Sequence, residues 1–255
     1  STRHSTLFPY TTLFRSVIET IKQIHSGAVG KILAGQVMRM GGGLWHRGSN
    51  PAWSQMEYQC RNWYYFCWLS GDQIVEMLVH QIDHMNWVLG SHPISAVGQG
   101  GRQQRTDPKY GNIWDNMAIN FEYPEGLRVP LMCRQWEGCE QMMSSMVYGT
   151  KGETDCRERI RGEVNWRYRG KPANSSVYEH QVLIDSIRKG AARNDALDFA
   201  VDSTLTAVMG REAAYTGQKI TWDAMLKSTL DLAPGRMNGV APQSPVPIPG
   251  QPRKV

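Results

Sequence analysis

The chain has 255 residues, 41% of them hydrophobic, and a formal net charge of +5 with no Lys/Arg block. No apolar run approaches the ~18 residues of a membrane span, and a mild, unclustered basic excess argues against a nucleic-acid partner. Cys60, Cys67, Cys133, Cys139 and Cys156 form no C-x-x-C pair, which argues against a disulfide framework and against a zinc site.

Residues 1–16 stand apart. The string from Thr6 to Ser16 resembles a translated sequencing adapter of the kind found at the ends of metagenomic reading frames, and it has no helical period. It carries Arg3 and Arg15, so without it the net charge falls from +5 to +3. The natural protein is therefore expected to be longer at its N-terminus, and the compartment stays open.

From Val17 to His25, Ile18, Ile21 and Ile24 recur at helical spacing, and Gly27 and Gly30 end the helix. Lys31–Met40 alternates as a strand. Gly41–Leu69 has no clean period and reads as one long loop. Trp45, Trp53, Trp63, Tyr64, Tyr65, Phe66 and Trp68 lie there among His46, Arg47, Glu57, Arg61 and Asn62. Long aromatic and polar loops are commonly binding loops. Aromatic faces beside hydrogen-bonding groups suit sugar rings, which nominates Trp45, Arg47, Arg61, Asn62 and Trp63 as substrate-binding residues. A loop pinned to the domain by its tryptophans is the alternative.

Residues 70–90 read as one helix, capped by Ser70 or Asp72 and closed by Gly90. At about 100° per residue, Ile74, Leu78, Ile82, Met85 and Leu89 form the core stripe. Glu76, His80, Asp83 and Trp87 gather within an arc of about 60° on the other side. A carboxylate one turn before an imidazole can hold its tautomer and raise its pKa, so Glu76, His80 and Asp83 are acid/base equipment if that face lines a cleft. A solvated polar stripe is the alternative. Adding His84 makes a metal-dependent hydrolase conceivable, although His84 lies about 80° from Glu76, which is awkward for a shared ion.

Strands follow at Ile94–Gln103, Ile113–Tyr123 and Leu127–Gln135. Met117, Ile119, Phe121 and Tyr123 match Leu127, Val129, Leu131 and Cys133 across a turn at 124–126. Pro130 removes a ladder donor, so its strand is expected at an edge or bulged. Further strands fall at Met142–Tyr148 and Glu163–Tyr168. The hairpins imply an antiparallel sheet. A helix over Val177–Lys189 places Val182, Leu183, Ile184 and Ile187 inward and stops at Gly190. Asn194 can cap a helix over Asp195–Thr216, with Leu197, Val201, Leu205 and Val208 inward and Gly217 behind it. Thr221 caps a short helix at Trp222–Leu226, and a Pro-rich tail occupies 234–255.

The run from Met56 to Phe66, then Ser70–Gly71–Asp72 to Gly90, then Gly100–Gly101–Arg102 to Tyr123, resembles the Gfo/Idh/MocA oxidoreductases, the family of glucose–fructose oxidoreductase and inositol dehydrogenase. The likeness covers residues 17–250. It implies an α+β fold, an open, mainly antiparallel sheet with helices on one face, following a Rossmann domain that binds NAD or NADP. The implied division is the adapter-like leader at 1–16, the end of the Rossmann domain at 17–30, a substrate and oligomerisation domain at 31–233 and the tail at 234–255. No G-x-G-x-x-G opens a helix here, and no Glu-Lys-Pro is present, so NAD or NADP is expected on a domain missing from this chain. The family's Asp-x-x-x-His motif, with an Asp three residues on, matches Glu76, His80 and Asp83. His80 is then the acid/base at the substrate hydroxyl or carbonyl and Asp83 its support. Glu76 departs from the usual Asp by one methylene.

The resemblance implies a sugar or polyol oxidoreductase, inactive without its cofactor domain, with a small carbohydrate as ligand and a homo-oligomer built through the uncovered sheet face. The alternatives are a glycosidase that works through transient NAD-dependent oxidation, or a non-catalytic carbohydrate-binding or oligomerisation module.

Overall fold

The computed structural model describes residues 15–170, 174–190, 196–235, 240–242 and 244–251. The elements in order are α1 (Arg15–His25), β1 (Ile32–Gly41), α2 (Gln55–Arg61), α3 (Cys67–Ser70), α4 (Gln73–Glu76), α5 (Val79–Leu89), β2 (Ser95–Gly101), β3 (Asn116–Glu122), β4 (Arg128–Gln135), β5 (Met142–Gly149), β6 (Gly152–Thr154), β7 (Arg159–Gly162), β8 (Trp166–Arg167), α6 (Ser175–Arg188), α7 (Ala196–Thr216), β9 (Ile220–Thr221) and α8 (Trp222–Leu226). Of the described strand pairings only β1 with β4 is parallel, so the fold is α+β with an open, mainly antiparallel sheet.

The chain divides into two compact units. One comprises residues 1–36, 80–92 and 144–204, the other 37–79, 93–143 and 205–255. In the first, strands β5, β6, β7 and β8 pair in sequence order by antiparallel ladders. Val17, Ile18, Ile21 and Ile24 of α1 are buried as their spacing requires. The helix starts at Arg15, inside the stretch set apart above, and residues 1–14 lie outside the described residues. His25 Nε2 lies 3.1 Å from the carbonyl of Trp87 and 3.2 Å from that of Val88, so α1 grips the C-terminal carbonyls of α5.

The second unit orders its strands β1-β4-β3-β2-β9. Met117 pairs with Cys133, Ile119 with Leu131 and Phe121 with Val129, which is the register expected from alternation, and all six are buried. Each such side chain contributes about 1.5–3 kcal/mol on burial. They lie together on the face covered by α4 and the second half of α7, where a Cβ at Gly210 would stand 2.8 Å from Phe121 and 2.9 Å from Ile74. Met117, Ile119, Phe121, Val129 and Leu131 therefore all serve the covered face. The open face carries Val97, Pro130 and Met132 instead. β4 is also not an edge strand. Its ladder with β1 starts at Leu131, so the donor missing at Pro130 falls outside that ladder.

Four further expectations change. Residues 70–90 are not one helix: Gly71 and Asp72 both have positive φ, α4 ends at Glu76, and α5 starts at Val79. The amide of Leu78 bonds to Gln73 five residues back, a widened turn that breaks the run. Ile74, Leu78, Ile82 and Met85 still reach the core, Val88 is buried beyond them, and Leu89 is only half-buried. The aromatic segment holds helices α2 and α3. Ser54 accepts from the amide of Glu57 in a Ser-x-x-Glu capping pattern that the density of aromatics obscured. On α6, Val182, Leu183, Ile184 and Ile187 are exposed, because an apolar period marks a face without specifying what covers it. On α7, Val201 is exposed and the buried face runs through Ser203, Thr206, Ala207 and Gly210, small residues that allow close approach to the sheet. The expected cap Asn194 and the side chain of Leu197 lie outside the described residues. Residues 240–242 and 244–251 of the Pro-rich segment belong to the second unit. The carbonyl of Pro242 accepts from Gln59 Nε2 at 3.0 Å, and that of Pro247 accepts from Trp114 Nε1 at 3.3 Å.

Candidate functional site

The chemistry-bearing residues form one group in each unit. In the second unit the group is built on Glu76, at the end of α4. Asp72 fixes this helix. Its carboxylate accepts from the amides of Gln73 at 2.5 Å and Trp114 at 2.8 Å and from the hydroxyl of Tyr215. Glu76 is half-buried. Burial pushes its carboxyl above the usual range, while a hydrogen bond from Tyr64 and the charge of Arg39 pull it back in part. The Tyr64 phenol, itself pushed far up by burial, stays protonated and accepts from Gln135 Nε2 at 2.6 Å. Gln135 Oε1 in turn accepts from Arg105 Nη1 at 2.7 Å. A chain of donors thus runs Arg105, Gln135, Tyr64, and Glu76 lies beside its end. Met77 Sδ receives Arg39 Nε at 3.4 Å and Gln135 Nε2 at 3.6 Å, which places Arg39 beside this chain.

The aromatic loop borders the same group. Tyr65 Oη donates to the carbonyl of Trp45 at 2.6 Å, and burial, its largest cause, raises the Tyr65 phenol to about 12. Trp63 lies 5.5 Å from Tyr64 and 6.0 Å from Trp45, between ring centroids. Trp45 and Trp63 keep 38% and 37% of their surface exposed, enough to offer a ring face to a ligand. Asn62 is fully buried. Its Oδ1 accepts from the Arg47 amide at 2.9 Å and its Nδ2 donates to the Gly48 carbonyl at 3.2 Å, so it holds the loop's backbone. Arg47 stacks 5.0 Å over Trp45. Arg61 pairs with Glu57 at 2.8 Å and stacks 4.6 Å over Trp53.

The first unit holds His80, Asp83 and His84 on α5. His80 is exposed. Asp83, which the single-helix reading placed away from the core stripe, is buried and accepts from Ser203 Oγ at 2.8 Å. Asn86 Nδ2 also reaches Ser203, at 3.4 Å. His84 Nε2 is sealed from solvent without a hydrogen-bond partner. Burial, with the nearby charges of His80 and Arg157, lowers this imidazole to about 4, so it is neutral at pH 7. Because α4 and α5 are separate, Glu76 and His80 do not share a continuous helix.

Sequence reasoning missed Tyr64, Gln135, Arg105 and Arg39 as site residues. A signal existed for two of them: Arg39 and Gln135 continue the buried alternations Val37–Arg39 and Leu131–Cys133–Gln135, where a polar side chain needs a partner. Among the described residues no three His, Cys, Asp or Glu are placed to hold a metal ion. Nor do these residues suit a dinucleotide: Gly41, Gly42 and Gly43 lead from β1 into the loop before α2, not into a helix N-terminus that could cradle a pyrophosphate.

The chain is 27% identical over 182 residues to the 2,7-anhydro-N-acetylneuraminate hydratase of Escherichia coli K12, covering 69% of this chain but 44% of that protein. Three solved structures share the fold. They are an aldose-aldose oxidoreductase from Caulobacter crescentus complexed with glycerol (TM-score 0.63, 16% identity, 83% of this chain and 62% of that one), a myo-inositol dehydrogenase from Corynebacterium glutamicum (0.56, 14%, 84% and 63%) and an oxidoreductase from Agrobacterium radiobacter in complex with NAD+, L-tartaric acid and magnesium (0.60, 14%, 85% and 64%). The chain therefore spans less than half the length of its curated relative and under two thirds of these structures. Residues 18–155, over half of the chain, match the GFO/IDH/MocA C-terminal domain, and together with the mainly antiparallel sheet this means that the chain belongs to that family.

Proposed function

We propose that this chain supplies the substrate-side residues of an oxidoreductase acting on a sugar or polyol hydroxyl, with NAD or NADP held elsewhere in the whole protein. The observation that carries this reading is Glu76. It is a half-buried carboxyl, raised in pKa by burial, beside Tyr64 at the end of the donor chain from Arg105, and Tyr64 packs 5.5 Å from the ring of Trp63. A carboxyl so placed can accept a hydrogen bond from a substrate hydroxyl and fix its orientation. Trp45 and Trp63 hold the sugar ring. The imidazole of His80, exposed on the first unit, takes the hydroxyl proton on oxidation and returns it on reduction. Asp83, bonded to Ser203, positions α5. Arg47, Arg61 and Asn62 shape the loop that carries the tryptophans.

The test uses the chain as it is, titrated with myo-inositol and a panel of neutral aldoses and followed by tryptophan fluorescence and calorimetry. At least one should bind, and Trp63→Ala should weaken it by about tenfold, the loss expected for one stacking face. A panel that does not bind at all would end this reading.

A hydratase among the relatives favours a second reading, in which a sugar is transiently oxidised so that a neighbouring C–O bond can be broken or hydrated and is then reduced again. The two readings separate on stoichiometry in the whole enzyme: one reduced cofactor per product for net oxidation, none for the transient route.

Self-association belongs to the same proposal. The open sheet face with Val97, Pro130 and Met132 is the surface for a second copy, and Met132→Lys should shift light scattering from dimer toward monomer. A wild-type monomer at high concentration would remove that part.

A further inference from the structure

Arg39 lies on β1, on the covered face of the sheet, where its register partner Cys133 is buried. It is half-buried, and the partners found for its guanidinium are two sulfurs. Nε donates to Met77 Sδ at 3.4 Å and Nη1 faces Met143 Sδ. A thioether is a weak, neutral acceptor, whereas a guanidinium offers five donors in a fork that matches a carboxylate. Among the described residues no carboxylate comes within ion-pair distance of Arg39. Glu76 feels its charge but forms no bridge to it. The neighbouring arginines differ. Arg105 bonds Gln135 and the Trp114 carbonyl through both Nη atoms, leaving only its buried Nε unpartnered, and Arg102 bonds the carbonyls of Ile113, Tyr110 and Gly111. Arg39 is thus a cation beside Glu76 and Tyr64 with its strong acceptor positions still to be filled.

We infer that Arg39 is the anchor for a substrate carboxylate, and that the ligand of this site is an acidic sugar. This rests on the sugar-binding reading above and narrows it. The carboxylate takes the guanidinium fork, displacing the weak contacts to Met77 and Met143. The ring hydroxyls then fall toward Glu76 and Tyr64, and the ring faces the tryptophans.

The inference is tested with D-glucuronate, D-galacturonate and N-acetylneuraminate, each against its own methyl ester, alongside the neutral panel, all by calorimetry on the intact chain. At least one acid should bind at least about tenfold more tightly than its ester, the difference expected for a charge-assisted pair. Arg39→Gln should bring acid and ester to equal affinity, and Arg39→Lys should restore part of the preference. Acids that bind no better than their esters, or a preference that survives Arg39→Gln, overturn the inference while the sugar-binding reading stands. Binding of neither acids nor neutral sugars overturns both. Circular dichroism of the Arg39 variants separates lost recognition from lost fold.

Discussion

Replacing His80 by alanine in the whole enzyme should lower kcat by about 10² to 10⁴, the usual contribution of a positioned acid/base group, and leave cofactor affinity unchanged. The assay is hydride transfer with the substrate found in the binding panel, and the cofactor Kd is measured separately. Glu76→Gln should act mainly on KM. Its neighbours Tyr64 and Gln135 remain, and a glutamine still offers a hydrogen bond to a substrate hydroxyl. His84→Ala is the contrasting case. Its imidazole, held near 4 when folded, has an ordinary value near 6.5 when unfolded. A depressed folded pKa gives stability that is full above about 6.5 and lost as pH falls toward 4. Removing His84 should therefore flatten the acid side of the stability curve without slowing turnover. If His84→Ala abolished turnover and His80→Ala did not, the acid/base assignment would be wrong.

The second large effect concerns Asp72, which is fully buried and accepts from two amides and the Tyr215 hydroxyl. Burial raises its pKa, and those donors work against the shift. Asp72→Ala leaves three buried donors without an acceptor, and a lost buried network of this kind costs about 3–5 kcal/mol. Urea unfolding should show a loss of unfolding free energy of that size, read as the midpoint shift multiplied by m. Tyr215→Phe removes one donor and should cost about 1 kcal/mol. Because Asp72 also starts α4, its loss should weaken sugar binding through Glu76. Equal stability of Asp72→Ala and wild type would mean that the network contributes nothing net.

The parts of this fold that were legible in the sequence are those fixed by local period. The β3–β4 register follows from strict alternation, and Ile74, Leu78, Ile82 and Met85 follow from a 3.6-residue repeat. The cap at Asp72 and the closure at Gly90 were legible for the same reason, since a side chain and a φ sign are local properties. The widened turn at Leu78 was not, because Met77 is held there by Arg39 and Gln135, which are remote in the chain. The burial of Asp83 was not legible, because its partner, Ser203, lies 120 positions away. The Tyr64–Gln135 bond spans 71 positions and joins a loop residue to a strand end. The motif residues Glu76, His80 and Asp83 could be located from spacing, but the network around Glu76 required the sheet.

The close approach of α7 to the sheet at Gly210 sets a rule for how this family member can vary. A methyl group there would need space now held by Phe121 and Ile74, and at Gly98 it would meet Ile119 and Ala214. The volume is shared among residues of four elements, β2, β3, α4 and α7, so none can grow unless another shrinks. Substitutions at these positions are thus bound to occur in compensating pairs, Gly210→Ala with Phe121→Leu for example. Drift in this core is a coordinated exchange of methyl groups between helix and sheet, and each single step passes through a less stable intermediate.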